Sequence, residues 1–310
     1  MYDVVIIGSG PAGLAATMYC IRKGMDVQLI PGHFGGKSTM GLTVPDMSEF
    51  HLIKAREQVQ VFRGHVEYLT HTWRKGYVAT IEDRGSHFDL TMTDKEQLQA
   101  ERLIIATGVK VPPLEVPGVK EFLGKSLGTS AISYTHLLRE RKVVILGNGD
   151  RAVEAAVEAA QQAEQVDLVL EPGSTHGKEH LALLRRQENA QVHLESTVVR
   201  FDGQAFAESI TILEGVAAGG SAAAAGTVIT ADAFFLEHEP QPNSALVADL
   251  VERTPDGAIV INERNETSHR RIFAAGDVTT VGIEQILVAL GEGARAALSA
   301  YRHLTLEPEG

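Results

Sequence analysis

The sequence predicts an α/β protein built from two Rossmann-like nucleotide-binding domains. A glycine-rich fingerprint, Gly8-Ser9-Gly10-Pro11-Ala12-Gly13, recurs in the middle of the chain as Gly147-Asn148-Gly149-Asp150-Arg151-Ala152. Strand and helix patterns alternate around both copies, in a chain of 310 residues that is 44% hydrophobic. A chain of this length is sufficient for two domains, each with its own core.

The first fingerprint lies in a strand, turn, helix and strand pattern, which is the context that a dinucleotide motif requires. The flanking elements are a strand at 2–7, a helix at 14–22 and a strand at 26–30. In such a unit Gly8 permits the tight turn, Gly10 lets a pyrophosphate approach the backbone, and Gly13 lets the helix pack on the strand. The anion then lies at the positive end of the helix dipole. Pro31 and Gly32 stand where an acidic ribose ligand is usual.

The second fingerprint has the same context and also the acidic residue. A strand at 142–146, a helix at 152–162 and a strand at 165–170 surround it, and Glu171 ends the last strand. A carboxylate there can accept both hydroxyls of an adenosine ribose and would repel a 2′-phosphate, which favours NADH over NADPH. Arg151, Arg185 and Arg186 could reverse that choice by pairing with the phosphate. The alternative is a Rossmann domain that no longer binds a nucleotide.

Two further motifs follow predicted strands. Ala106-Thr107-Gly108 comes after an apolar run at 103–105, and Gly276-Asp277 comes after the strand at 271–275. A long amphipathic helix is predicted at 284–303. Asp277 can accept a hydrogen bond from the polyol chain of a flavin nucleotide.

Taken in order, these motifs resemble the low-molecular-weight thioredoxin reductase family of FAD-dependent pyridine nucleotide oxidoreductases. The resemblance covers nearly the full chain and implies an FAD domain interrupted by a smaller Rossmann domain, usually as a homodimer. The implied domains are 1–112 and 238–310 for FAD and 113–237 for NAD(P). The candidate FAD residues are Gly8, Gly10, Pro11, Ala12, Gly13, Gly35, Gly36, Lys37, Val66, Ala106, Thr107, Gly108, Gly276, Asp277, Gln285 and Ile286. The candidate residues for NADH or NADPH are Gly147, Gly149, Asp150, Arg151 and Glu171.

The chain departs from this family at the redox centre. Thioredoxin reductases carry a Cys-x-x-Cys before the second fingerprint, and here Ser130 and Ser133 occupy those positions. A serine hydroxyl neither forms a disulfide nor acts as the thiolate that exchange requires. The single cysteine, Cys20, lies in the first helix and is expected to be a small buried side chain. We therefore exclude disulfide reduction by the family mechanism and assign no catalytic side chain.

The nucleotide sites depart as well. Family members that use NADPH carry a His-Arg-Arg cluster where residues 171–178 here read Glu-Pro-Gly-Ser-Thr-His-Gly-Lys. Lys37 and Glu284 stand where the family has Gln and Arg. Lys37 would either place a positive charge near the flavin or point to solvent. Glu284 is an acid at a helix N-terminus, where the dipole favours it.

Composition limits the partners. A net charge of −12 argues against nucleic acid and anionic membranes. We predict no transmembrane helix, because no apolar run approaches about 18 residues, and the first strand begins at once, which indicates the cytoplasm. No metal site is expected, because the histidines lack a ligand spacing.

A small antiparallel layer is predicted from strands at 66–70, 77–81 and 88–92, and a mobile hairpin tip at 215–226.

Three functional hypotheses follow. The first is an FAD-dependent oxidoreductase that passes hydride from NAD(P)H to FAD and then to a small molecule or an electron-carrier protein. The second is a flavoprotein reduced by another donor, with the inner domain kept for structure. The third is a flavin-binding protein without enzymatic activity.

Overall fold

The structure, a computed structural model, describes residues 1–45, 55–215 and 226–307. The described residues form two compact units. Unit 1 comprises 1–39, 55–110 and 241–307, and unit 2 comprises 40–45, 111–215 and 226–240. The domain boundaries expected from the sequence, at 112/113 and 237/238, stay a prediction.

The regular elements of both units are numbered in chain order. The helices are α1 Pro11–Arg22, α2 Ala55–Tyr68, α3 Val119–Phe122, α4 Asp150–Ala159, α5 Lys178–Leu184 and α6 Ile286–Thr305. The strands are β1 Tyr2–Ile7, β2 Val27–Ile30, β3 Val78–Asp83, β4 Phe88–Met92, β5 Gln97–Ile105, β6 Val109–Lys110, β7 Leu127–Thr129, β8 Lys142–Gly147, β9 Gln165–Leu170, β10 Ala190–His193, β11 Ser196–Gly203, β12 Ala207–Glu214, β13 Thr227–Thr230, β14 Ala233–Leu236, β15 Gln241–Pro242 and β16 Ile272–Ala274. Of the helices in the described ranges, none is long and apolar enough to cross a membrane.

Unit 1 is organised around a six-stranded sheet in the order β2-β1-β5-β4-β3, with β16 also paired to β5. β1, β2, β5 and β16 run parallel, so their carboxyl ends meet at one edge, where Ile7 pairs with both Ile30 and Ile105, and Ala274 pairs with Ile105. The last four residues of β1 are buried and apolar, as a strand covered on both faces requires. Helices α1 and α6 pack together in one hydrophobic core on one face of the sheet. A second hydrophobic core lies on the opposite face.

Unit 2 has a parallel sheet in the order β10-β9-β8-β14-β7 and an antiparallel sheet in the order β11-β12-β13. β8 lies between β9 and β14, with Leu146 paired to Val169 and Leu236. The segments that follow these three strands therefore begin at the same edge of the sheet. Small alanines on the buried face of α4 let that helix pack against the strands.

The predicted strand at 66–70 is wrong, because Val66 lies in α2 and a 3₁₀ turn follows at Thr70–Thr72. Val59, Phe62 and Val66 recur at helical spacing and pack into the core of unit 1. The local β-branched content suggested a strand, but the longer period favours a helix. The other two predicted strands of that layer are present as β3 and β4. The predicted hairpin tip lies largely outside the described residues, between β12 and β13, which pair antiparallel.

Candidate cofactor site

A cavity of about 470 Å³ lies at the edge of unit 1 where β1, β5 and β16 end. Three loops line it, at 8–12, 106–109 and 275–277, together with the segments 31–33 and 76–78. This is the crevice outside the carboxyl ends of parallel strands, where open α/β sheets bind their ligands. Its volume is within the range that is usual for cofactor pockets.

The glycines of the first fingerprint divide into two roles. A Cβ on Gly8 would lie 2.2 Å from the Ala106 carbonyl oxygen, and a Cβ on Gly13 would lie 1.8 Å from the Gly8 carbonyl oxygen. The fold itself therefore requires these two glycines. A Cβ on Gly10 would meet nothing within 4 Å, although Gly10 lines the cavity. The space over Gly10 at the start of α1 fits the close approach of a pyrophosphate.

The end of β2 shows what replaces the missing ribose acid. Pro31, Gly32 and His33 line the cavity. The Ser9 hydroxyl, almost fully buried, lies 2.8 Å from the Pro31 carbonyl and 2.9 Å from the His33 carbonyl, which fixes this turn. The exposed ring of Tyr77 lies beside Gly32 and also lines the cavity. Sequence reasoning missed His33 and Tyr77, because their approach depends on the segment before β3, where Trp73 bridges to Leu29 of β2.

Lys37 and Asp277 form an ion pair at the cavity wall. Lys37 Nζ lies 2.8 Å from Asp277 Oδ2 and also pairs with Glu284. The ammonium is a third exposed, whereas both carboxylates are largely covered. Lys37 therefore lines the cavity and compensates two carboxylates, an arrangement that lies between the two alternatives considered from the sequence.

The turn after β16 donates a hydrogen bond to a buried carboxylate. Gly276 has a φ of +80° and donates its N–H to Glu292 Oε2 at 2.6 Å. Glu292 is 3% exposed, and this burial raises its pKa, with Asp277 adding to the rise. Sequence reasoning missed Glu292, although an acid among the small residues on the buried face of α6 was the available signal.

The structure brings most candidate FAD residues together and leaves five outside the lining. Those that line the cavity are Gly8, Gly10, Pro11, Ala12, Gly36, Lys37, Ala106, Thr107, Gly108, Gly276 and Asp277. Gly13 and Gly35 are buried and shape the loops, while Gln285 and Ile286 start α6 without lining the cavity. Asn243 lines it and was missed; its carbonyl accepts the Thr107 hydroxyl at 2.7 Å. Val66 is fully buried in the core, so we withdraw the adenine contact expected for it.

At the second fingerprint a carboxylate lies over the helix N-terminus. Glu239 Oε1 accepts the N–H of Arg151 at 3.1 Å. A Cβ on Gly149 would lie 2.6 Å from the same oxygen. Glu239 therefore lies at the position where the fingerprint predicts a pyrophosphate.

The other candidate dinucleotide residues have partners within unit 2. Arg151 Nε donates to Glu237 Oε2 at 2.7 Å, and Glu171 Oε1 lies 3.0 Å from His238 Nε2. Asp150 Oδ1 accepts the N–H of Gly177 at 2.5 Å. Gly147 packs against Ala152 and the Glu237 carbonyl, with no room for a side chain.

Ser130 and Ser133 are hydrogen bonded to each other, with 2.9 Å between their hydroxyl oxygens. Cys20 has no exposed surface, and burial raises the pKa of its thiol far above the ordinary value. Such a thiol is protonated and inert. Among the described residues no group of three or more His, Cys, Asp or Glu side chains is placed to hold a metal ion.

Comparison with known proteins places this geometry in a family. The family model described as "Pyridine nucleotide-disulphide oxidoreductase" matches residues 2–293. The chain belongs to this family of FAD-dependent oxidoreductases. Its members use FAD and NAD(P)H, so the sequence prediction of family and cofactor class is confirmed.

Individual relatives agree with this assignment. The F subunit of alkyl hydroperoxide reductase is 29% identical in Pseudomonas aeruginosa and in Escherichia coli, over 99% and 98% of this chain. The chain spans only 60% and 58% of those two proteins. Thioredoxin reductase from Streptococcus pyogenes superposes with a TM-score of 0.86 at 27% identity, over 98% of both chains. Thioredoxin reductase from Giardia duodenalis gives 0.85 at 24% identity over the same shares, which supports the fold. The predicted fold of two Rossmann-like domains is confirmed.

Proposed function

We propose that the chain is an FAD-dependent oxidoreductase on a thioredoxin reductase scaffold that delivers electrons to an acceptor other than a disulfide. The observation that carries this proposal is that the chain has a single cysteine, with the hydrogen-bonded pair Ser130 and Ser133 at the positions that the family resemblance assigns to the redox cysteines. Two hydroxyls cannot store two electrons as a dithiol, and the single cysteine is buried. The chain is therefore not a functional thioredoxin reductase.

The cavity of unit 1 supports FAD as the bound cofactor. The open space over Gly10 and the start of α1 suit the pyrophosphate, and the Gly276–Asp277 turn suits the polyol chain. The pair of Lys37 and Asp277 leaves the carboxylate near the wall with a charge that is already compensated. When bound, FAD supplies the electron-transfer chemistry, while the protein supplies binding and orientation.

The donor has two candidates. NADH or NADPH is the family donor, with Gly147, Gly149, Asp150, Arg151 and Glu171 as its proposed residues. The second candidate is a donor that does not use this site, and the carboxylate over Gly149 favours it.

We also propose a cytoplasmic homodimer; light scattering of the holoprotein should give twice the chain mass of 33.4 kDa.

The acceptor is tested with purified holoprotein under anaerobic conditions. Heat-released flavin is first identified as FAD by chromatography. The flavin is then reduced with one equivalent of dithionite and mixed with quinone, ferricyanide or an aromatic disulfide. We expect the first two acceptors to restore the flavin absorbance, and the disulfide to be reduced no faster than by free reduced FAD. Reduction of the disulfide much faster than by free reduced FAD would overturn the proposal.

A further inference from the structure

We infer that the second dinucleotide site is closed by the chain's own segment Glu237-His238-Glu239, so that unit 2 does not bind NADH or NADPH. This segment follows β14 at the edge where β8 and β9 also end. It therefore reaches the place where a Rossmann unit holds its ligand. The inference goes beyond the proposed function because it removes the family donor from its usual site.

A carboxylate of the chain itself occupies the anion position at the N-terminus of α4. The N-terminus of a helix binds a phosphate through the free N–H groups of its first turn. Here the Arg151 N–H is taken by Glu239 Oε1, and the same oxygen lies directly over Gly149. The Glu239 N–H in turn lies 3.4 Å from Asn148 Oδ1, which ties the segment to the fingerprint loop. A carboxylate thus supplies the negative charge that the helix dipole favours.

The cation of the fingerprint is also paired within unit 2. Arg151 is the basic side chain of the fingerprint, and its guanidinium donates to Glu237 at 2.7 Å. Glu237 has no exposed surface and also accepts the Ala131 N–H. Separating this pair would leave a buried carboxylate without its counter-ion, which is strongly unfavourable. Arg151 is therefore held away from any incoming phosphate.

The acid expected to bind the ribose is paired as well. Glu171 was predicted to accept the ribose hydroxyls, but it lies 3.0 Å from Nε2 of the buried His238. Together with Asp150 and Glu239, it brings three carboxylates to one end of the sheet, besides Glu237, whose charge Arg151 compensates. A dinucleotide would add a doubly charged pyrophosphate to that set. Repulsion between like charges opposes binding on top of the steric block.

The glycines nevertheless have a reason to be present. A Cβ on Gly147 would lie 2.5 Å from both Ala152 Cβ and the Glu237 carbonyl oxygen. The close packing of β8, α4 and the segment after β14 therefore requires Gly147 whether or not a nucleotide binds. The presence of this glycine is therefore explained by packing alone.

The test is dinucleotide binding to the holoprotein, measured by calorimetry with NADH and NADPH and by bleaching of the flavin under anaerobic conditions. For the wild type we expect a Kd above about 1 mM and no bleaching by either dinucleotide, while dithionite bleaches the flavin. Glu239→Gly removes the carboxylate over Gly149 and should tighten NADH binding at least tenfold. Glu164→Ala is the matched control, because Glu164 is an exposed acid at the opposite end of β9; it should leave binding unchanged.

Wild-type binding of either dinucleotide with a Kd below about 100 µM, or bleaching of the flavin within minutes, would overturn the inference. If Glu239→Gly does not fold, Glu239→Gln keeps the size and removes the charge, and it should also tighten binding. The two proposals fail separately. Absence of FAD from the purified protein, or rapid disulfide turnover, would overturn the proposed function, whereas the calorimetric comparison of Glu239 variants would still decide this one.

Discussion

At the first fingerprint the N-terminus of α1 opens onto a cavity, whereas at the second the N-terminus of α4 carries the carboxylate of Glu239. In both units packing requires glycine, at Gly8 and Gly13 in the first and at Gly147 in the second. The glycine that serves the ligand differs. Gly10 has open space above it, and Gly149 has a carboxylate above it. The motif therefore specifies how strand and helix pack, while a distant segment decides whether an anion can enter.

The largest effect is expected from converting the first site to the state of the second. Gly10→Asp places a carboxylate at the N-cap of α1, where FAD would bring its pyrophosphate. Two like charges about 4 Å apart repel by about 4 kcal/mol at an effective dielectric constant of ~20, so FAD should bind at least ~100-fold more weakly. Fluorescence titration of the apoprotein with FAD measures this loss.

The fold should survive this change, because Asp is a favoured N-cap residue and the space over Gly10 is open. Circular dichroism of the apoprotein should match the wild type. Gly64→Asp is the control: Gly64 is exposed in α2, away from the cavity lining, and its Cβ would also meet nothing within 4 Å. Equal FAD affinity in Gly10→Asp and Gly64→Asp would break the comparison, since the space over Gly10 would then have no role in binding.

The two units also differ in the buried groups that titrate, and His193 of unit 2 gives the next effect. His193 lies 2.8 Å from Asp167 Oδ1 and 3.0 Å from Glu214 Oε1. The hydrogen bond to Asp167, supported by Glu214, raises the pKa of His193. A raised pKa in the folded state means that this stabilisation is complete below about pH 6.5, the ordinary histidine pKa, and is lost as the pH rises through the folded value.

His193→Gln should therefore lower the free energy of unfolding by about 1.5–3 kcal/mol at pH 5.5 and by less at pH 8.5. Urea unfolding at both pH values measures the difference. The matched control is His180→Gln, because His180 is about half exposed beside Glu154. A loss that is the same at both pH values would show that His193 contributes packing and no charge.

The sequence was sufficient for most of the strands and insufficient for the contacts that decide binding. Buried parallel strands such as β1, β8 and β9 are mostly apolar runs rich in Val, Ile and Leu, so they were recognised with bounds close to those observed. Val66 was misassigned because a short β-branched window hides a helical period. The contact of Glu239 with Arg151 joins residues 88 positions apart, and no local pattern encodes it. Glu171 was correctly expected at the end of β9, but its pairing with His238 depends on where β14 is inserted in the sheet.

Glu292 is a buried titratable group of unit 1. Removing its charge should change the free energy of unfolding by less than His193→Gln does, and in the opposite direction. Burial raises its pKa, so any stabilisation by this residue is complete below about pH 4.5 and is lost as the pH rises through the folded value. Glu292→Gln keeps an acceptor for the Gly276 N–H and removes the buried charge. The variant should gain stability at pH 8, by about 1.4 kcal/mol for each unit by which the pKa is raised.

The melting temperature of the holoprotein, compared at pH 8 and pH 5, measures this gain. Glu263→Gln serves as the control, because Glu263 is exposed and outside the cavity lining. A variant that is less stable than the wild type at pH 8 would mean that the ionised carboxylate holds the Gly276 turn. The turn beside the cavity would then depend on the ionised carboxylate of Glu292, in addition to the carboxylates of Asp277 and Glu284 that pair with Lys37.

The smallest effect is expected from Ser130→Ala combined with Ser133→Ala. These hydroxyls hydrogen bond to each other, and removing both at once avoids leaving one of them without the other, so the stability should change by less than about 1 kcal/mol. If electrons leave the flavin without passing through this pair, the rate of flavin reoxidation by quinone or ferricyanide should stay within about twofold. A tenfold slower rate would correspond to an activation free energy raised by about 1.4 kcal/mol. Stopped-flow absorbance of the dithionite-reduced holoprotein measures the rate. A tenfold loss would mean that the serines take part in delivery to the acceptor, and unit 2 would then have a function beyond packing even with its dinucleotide site closed.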